Sequence, residues 1–311
     1  MNSLYRSIGI SKQGFHQHLN RELRALSEKK QLLMIIYNIR QDHPTMGIRD
    51  MYFKIQPSSM GRDAFELFCK EEQLNIERFK NYKRTTDSYG VNRFTNHTID
   101  LEITHINQVW QSDITYYELQ GRFYYLTFII DGYSRRIVGH HTSSRLTTEQ
   151  TTLPALKIAI NLRKKENQEI SGLIFHSDGG GQYYDEAFKK LTAKNKMTNS
   201  MCEYPWENGK AERINGIIKN NYLKYRKINN FDELVKEVDR TVQLYNNDKP
   251  HSRLKRITPI NFEKLYICKG QKTDGDKSTT ELKTQPEGLY SPSGSGQKTS
   301  ESNITLELKI T

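Results

Sequence analysis

Residues 109–142 read VWQSDITYYELQGRFYYLTFIIDGYSRRIVGHHT. The first third alternates, with Trp110, Ser112, Ile114 and Tyr116 on one face and Gln111, Asp113, Thr115 and Tyr117 on the other, the period-two signature of a strand. GRFYYLTFIID is a second, almost wholly apolar strand, and RRIVGHHT a third, joined through the turn DGYS. The stretch therefore predicts an antiparallel three-stranded meander.

The pattern then changes. TTEQTTLPALKIAINLRKK is an amphipathic helix with Pro154 in its first turns, and GLIFHS is a short strand reached through that helix, the crossover that gives parallel pairing. DEAFKKLTAKN is a helix and MTNSM an edge strand. NGKAERINGIIKNNYLKYR is read as one helix, with Ile214, Ile217, Ile218 and Tyr225 on its apolar stripe and Glu212, Gly216 and Lys219 on the opposite face. FDELVKEVDRTVQLYN adds a further helix, and DKPHSRLKRITPINF a basic ending. Three strands, then helix and strand in alternation, describe an α/β ribonuclease-H-like mixed sheet with helices on its faces.

Ahead of this core, Ser11 is placed to cap a helix carrying Phe15, Leu19, Leu23 and Leu26. A second helix in QLLMIIYNIR, ended by DHPT, and short helices in MGIRDMYFKI and GRDAFELFCKEEQL complete a helical, helix-turn-helix-like module at 1–74. Residues 75–104 form a linker in which Lys83, Arg84 and other cations alternate with aromatics, suited to a phosphate backbone or to a solvated tether. The core with its basic extension spans 105–268. Residues 269–311 are rich in Lys, Gly, Ser and Thr and are expected to be disordered.

Among 311 residues, 47 Lys and Arg face 36 Asp and Glu, a net charge of +11, which fits a polyanionic partner. Cys69, Cys202 and Cys268 are too scattered for a zinc site or a disulfide framework. The N-terminus lacks a signal-peptide core and no run reaches the ~20 apolar residues of a membrane span. A cytoplasmic, nucleoid-associated protein with no membrane partner is expected.

In LIFHSDGGGQYYD, an apolar strand ends in Asp178 and a run of glycines. Neither a Walker spacing nor a Gly-x-Gly-x-x-Gly pattern is present, so a phosphate cradle is disfavoured, and the stretch alone is equally an ordinary strand-ending turn. Asp113 and Glu212 decide between these readings, because adjacent first and fourth strands and one flanking helix bring all three carboxylates toward one point. Like charges there call for a cation, and oxygen-only ligation suits Mg²⁺ or Mn²⁺. Two such ions about 4 Å apart support in-line phosphoryl transfer.

VWQSDITY, FIIDGYSRRIVG, FHSDGGGQY, ENGKAERINGIIK and YNNDKPHSRLKRITP, in this order, resemble the successive motifs of the retroviral-integrase-type catalytic core of DDE transposases. The group most similar is the IS-three-like insertion sequences, in their second-reading-frame protein. The resemblance implies that Asp113, Asp178 and Glu212 are the catalytic, metal-binding triad and that Lys219 contacts DNA. It further implies cleavage at transposon ends, strand transfer by a freed 3′-hydroxyl, and a homo-oligomer on DNA working with an upstream-frame DNA-binding protein or fusion. WENGKAER departs from the usual Tyr-Asp-Asn-Ala-x-Ala-Glu-Ser and makes Glu207 a rival third ligand; Ala211 before Glu212 and Lys219 after it favour Glu212. Arg213, Gln182, Tyr183, Arg253, Lys255, Arg256, Lys83 and Arg84 are the further candidate DNA contacts. Asp131 is read as a turn or structural residue, and His176 either as a sheet-end residue or as one orienting a carboxylate or a water. A DNA-binding regulator dependent on a fusion partner, and a ribonuclease using the same chemistry on an RNA–DNA hybrid, are the competing readings.

Overall fold

The computed structural model describes Tyr5 and residues 9–76 and 94–273. The basic linker around Lys83 and Arg84, and the tail from residue 274 onward, lie outside the described residues.

The Ser11 hydroxyl accepts from Gly14 N at 3.0 Å and caps α1, Lys12–Asp42. The two helices expected here are one helix of 31 residues, because neither Gly nor Pro interrupts the chain from Phe15 to Asp42. Its second half packs Leu32 and Ile36 against Met51 of α2 (Ile48–Ile55) and Phe65 and Phe68 of α3 (Arg62–Glu71). Phe15, Leu19, Leu23 and Leu26, on its first half, are exposed.

The sheet has the order β3-β2-β1-β4-β5, comprising β1 Val109–Leu119, β2 Arg122–Asp131, β3 Ile137–Ser143, β4 Ile174–Ser177 and β5 Thr198–Met201. β1, β2 and β3 pair antiparallel; β4 is parallel to β1 and to β5. This is the expected mixed, ribonuclease-H-like sheet. Gln120 (φ 50°) and Gly121 (φ 74°) close the first hairpin, the left-handed pair that matches strand twist in a two-residue turn.

Helices cover both faces. On one, α4 (Thr152–Lys165) and α5 (Glu186–Lys194) bury Trp110, Val138, Phe175, Tyr183 and Phe188. α4 lies so near β3 that a Cβ on Gly139 would stand 2.4 Å from the Ala155 carbonyl oxygen. On the other face, α6 (Gly209–Gly216) and α7 (Phe231–Asn247) pack Ile214, Val238 and Val242 over Phe128 and Ile130.

The helix expected to run on evenly from residue 208 does not. α6 passes into a π-helical turn, Ile217–Tyr222, and a 3₁₀ turn, Leu223–Tyr225. The wider turn rotates the side chains beyond it, so Tyr222 and Leu223 are buried while Tyr225 is exposed. The last helix among the described residues is α8 (Pro259–Thr273).

At the end of the sheet where β2 finishes, charge is buried in pairs. Glu263 of α8 accepts from Arg163 at 2.7 Å and 2.8 Å, from Arg136 at 2.6 Å and from the Ser134 hydroxyl at 2.6 Å. Asp131 caps its own turn by accepting from Tyr133 N and Ser134 N, and it also accepts from Asn107 N, as its turn reading expects. The helical module meets the core through polar contacts. His43, fully enclosed, bridges the Tyr222 hydroxyl (2.8 Å) and the Asp248 carboxylate (2.7 Å). Lys54 pairs with the same carboxylate, and Arg226 donates to the carbonyls of Gln41 and Asp42.

Candidate active site

β1 and β4 run side by side in register, Ser112 opposite Ser177. The next residues, Asp113 within β1 and Asp178 just past the end of β4, therefore come side by side. Asp113 is on the β1 face that meets α6, because Ser112 turns the opposite way to bond the buried Tyr183 hydroxyl at 2.9 Å. Asp178 accepts from Gly180 N at 3.1 Å and so shapes its own turn. Glycine is required in that turn at Gly179: its φ is +82°, and a Cβ there would come within 2.3 Å of the Met201 methyl.

Glu212 stands exposed on α6. Burial raises the Asp113 carboxyl to about 7, and the charges of Asp178 and Glu212 add to the effect. Burial likewise raises Asp178 and Glu212, the latter also through Asp178. No ion pair reaches these three among the described residues; the Asn215 amide and the nearby charge of Lys219 offset only part of the effect of burial and like charge on Asp113. Neither is any group of three His, Cys, Asp or Glu drawn in closely enough among the described residues to ligate an ion as it stands. The chemistry of the donor set, carboxylate oxygens that repel one another, fits a hard divalent cation.

Glu207, the rival third ligand, is engaged elsewhere. Its carboxylate accepts from Glu203 N (2.7 Å), Tyr204 N (3.1 Å) and Asn96 Nδ2 (3.0 Å). Asn215, unremarked in the sequence, donates from Nδ2 to Asp113 Oδ2 at 2.7 Å. Its signal was available, since three residues beyond Glu212 on a helix is the same face. His176 is enclosed and bonded to Ser200 Oγ at 3.0 Å, and burial lowers it to about 4; it is a sheet residue.

The expected DNA contacts divide. Lys219 is half-buried; its amine donates to Thr115 Oγ1 at 3.1 Å and lies 4.8 Å from the centre of the Tyr116 ring, beside the carboxylates. Gln182 is half-buried, its carbonyl accepting from Thr152 Oγ1 at 2.9 Å. Tyr183 is a correction: 1 % exposed, it is packed against Phe175 and Phe188, because the 3₁₀ turn after the glycines folds its ring into the core. Arg256 is a second correction, ion-paired with Asp50 and lying 5.1 Å from the Phe53 ring centre; it fastens the helical module. Arg213, Arg253 and Lys255 are exposed. Arg213 and Arg253 share a field with Arg135, Lys249 and His251, which sequence reading passed over. Burial first, and then these neighbouring cations, hold Arg135 and Lys249 below their usual values and His251 at about 4. Among the described residues none of the five makes an ion pair, so the cluster suits a polyanion.

The integrase core domain family matches this chain over residues 104–204 and, in a second description of the same domain, over 195–259. An insertion element IS600 uncharacterized 31 kDa protein of Shigella sonnei is 28% identical over 83% of this chain and 97% of its own length. A putative transposase for IS986/IS6110 of Mycobacterium tuberculosis is 28% identical over 53% of this chain, and the transposase for IS629 of Shigella sonnei 32% identical over 52%. The chain spans 61% and 53% of the length of those two relatives. Among solved structures, the HTLV-2 integrase catalytic core domain in complex with magnesium is similar at 19% identity and a TM-score of 0.40, covering 50% of this chain and 95% of that one. Among the described residues, no helix is long and apolar enough to cross a membrane.

Proposed function

We propose, for a chain that belongs to the DDE transposases of IS-three-like insertion sequences and acts in DNA transposition, that Asp113, Asp178 and Glu212 are its catalytic residues and hold divalent metal, Mg²⁺ or Mn²⁺. The observation that carries this reading is the register of β1 and β4, which brings Asp113 within β1 beside Asp178 just past the end of β4, where Asp113 feels the charges of both Asp178 and Glu212.

When bound, such metal ions supply activation of the attacking oxygen and stabilisation of the leaving oxygen in an in-line displacement at phosphorus. The chain's own residues do the rest. Asn215 fixes the rotation of the Asp113 carboxylate through its 2.7 Å bond to Oδ2. Lys219, held beside Asp113 by Thr115, offers positive charge to a neighbouring phosphate. Arg213, Arg253, Arg135 and Lys249 supply the longer-range attraction for the DNA backbone. Water cleaves first and leaves a 3′-hydroxyl. That hydroxyl then attacks a second phosphodiester, with one such bond made as one is broken, so no high-energy cofactor is consumed.

The test is to incubate the full chain with a labelled duplex carrying the element's own end, in Mg²⁺ or in chelator, beside Glu212→Gln. Metal-dependent nicking and joining by the wild type alone, with duplex binding kept by both proteins, is the expected result. A Mg²⁺-dependent rise in melting temperature that is lost in the variant gives a readout apart from turnover. Cleavage undiminished in Glu212→Gln would refute the assignment of the third ligand, and wild-type binding without cleavage would leave a DNA-binding subunit.

A further inference from the structure

Tyr204 and Trp206 flank the turn that leads into α6. Their rings lie face to face, with centroids 4.5 Å apart and planes 5° from parallel. They are nevertheless 50% and 73% exposed, and among the described residues Trp206 is the most exposed of the large hydrophobic side chains. Such rings gain most when buried, so a stacked pair left in water presents an unused face.

The pair is fixed in place. Glu207 holds the backbone of residues 203 and 204 through its carboxylate, and Asn96 holds Glu207. The turn is then tied to β1 immediately before Asp113: Asn208, 1% exposed, donates to the Ser112 carbonyl at 2.9 Å, and Gln111 donates to the Glu207 carbonyl at 3.4 Å. From Trp206, half a 3₁₀ turn and the first turn of α6 lead to Glu212, about 10 Å along the chain at the usual rises. That is roughly three base-pair steps of DNA. The described neighbours in sequence add no exposed apolar side chain, Glu203 and Gly209 being exposed, Glu207 and Lys210 half-buried and Asn208 buried. An apolar protein face would need a continuous patch, whereas an island of two rings matches one planar ligand.

We propose that Tyr204 and Trp206 form a stacking platform for an unpaired nucleobase within a few nucleotides of the phosphate held at the carboxylates. The proposal rests on the reading of Asp113, Asp178 and Glu212 as the reaction centre. Paired bases inside a duplex have both faces covered by their neighbours. Only an end base, an overhang or an extruded base offers a free face, and stacking it on an aromatic ring contributes about 1–3 kcal/mol. The platform would thus favour DNA whose end is already opened, and it would hold the strand beside the reacting bond without reading its sequence.

The protein carries its own reporter, since it has two tryptophans and the other, Trp110, is fully buried. The full chain in chelator is titrated with a blunt duplex, with the same duplex bearing a short overhang, and with one whose overhang is abasic. The expected result is quenching of Trp206 emission by the base-bearing overhang alone. Trp206→Ala should lower affinity for that DNA by about 5- to 150-fold, the stacking range converted to a ratio, leave the blunt duplex unchanged, and be largely rescued by Trp206→Phe. Equal behaviour of the abasic and base-bearing overhangs, no response to Trp206→Ala, or failure to bind any DNA overturns the proposal. A Trp206 emission that shifts with protein concentration in the absence of DNA also overturns it, in favour of a contact between copies. Asp113→Asn should lose cleavage and retain the full discrimination, so undiminished cleavage by that variant with the platform intact would refute the catalytic assignment alone.

Discussion

The two ends of the central sheet carry comparable numbers of carboxylates and treat them in opposite ways. Where β2 ends, Glu263 is enclosed by Arg163 and Arg136, and Asp131 lies 3.6 Å from Arg163. Where β1 and β4 point, Asp113, Asp178 and Glu212 meet no cation among the described residues closely enough to pair. Burial alone would raise Glu263, but the hydrogen bonds and charge of Arg163, with Arg136, outweigh it and hold that carboxyl low. Asp113 is driven up to about 7, by burial first and then by the charges of Asp178 and Glu212. One end uses charge to lock α8 and α4 onto the sheet. The other leaves its carboxylates without an ion-pair partner among the described residues, the arrangement that the proposed divalent metal would relieve.

The largest effect expected from breaking this contrast is on chemistry. Asp113→Asn should reduce strand transfer by roughly three orders of magnitude or more while the protein still folds and binds duplex DNA; undiminished transfer in a gel assay would reverse the roles given to the two ends. At the locked end the effect falls on stability instead. Glu263→Gln leaves Arg163 and Arg136 short of a buried partner and should cost about 3–5 kcal/mol, seen as a lower denaturation midpoint, with metal-dependent activity per folded molecule retained.

The contrast sharpens with pH. An aspartate titrates near 3.9 in the unfolded chain and Asp113 at about 7 in the folded one. Between those values the unfolded chain has already lost the proton that the folded one keeps, so the metal-free fold loses stability from Asp113 as pH rises, fully so above 7. Glu263 has the opposite sign: its contribution is present above the ordinary glutamate value and is lost as pH falls through its lowered one. In chelator, Asp113→Asn should therefore melt higher than wild type at pH 8 and equal to it near pH 4, and added Mg²⁺ should close the gap at pH 8. The smallest effect is at Asn215. Asn215→Ala should lower transfer by about tenfold, the worth of one hydrogen bond to a charged group, and move the acidic limb of the pH–rate profile upward, because Asp113 loses the donor that favours its ionised form. An unchanged profile would make Asn215 a packing residue.

Much of this was legible along the chain. The alternation in β1, the apolar run of β2 and the helix-crossed GLIFHS strand predicted a sheet whose first and fourth strands touch, and they do. Backbone periodicity and turn chemistry are local properties, which is why they survive in sequence. Other features were not legible. Tyr183, beside glycine in a polar loop, reads as a surface ring, yet the 3₁₀ turn after Asp178 carries it under the sheet to Ser112. Arg256 reads as a phosphate contact, but its partner is Asp50, far back in the chain. Tyr225 reads as part of an apolar stripe until a π-helical turn displaces the register. Each miss involves a partner distant in sequence or a change of helical pitch that composition does not signal.

The sequence by itself determined the order of strands and helices, the basic character of the chain and, through motif order, the choice of Asp113, Asp178 and Glu212 as the proposed site. Only the tertiary structure decided which acidic residues are neutralised and which are left to repel, that Glu207 caps a turn while Glu212 faces Asp178, and that Asn215 holds Asp113. The reason is physical: whether a carboxylate is a lock or a ligand depends on the charges and donors within a few ångströms of it, and a folded chain draws those from positions that the sequence keeps far apart.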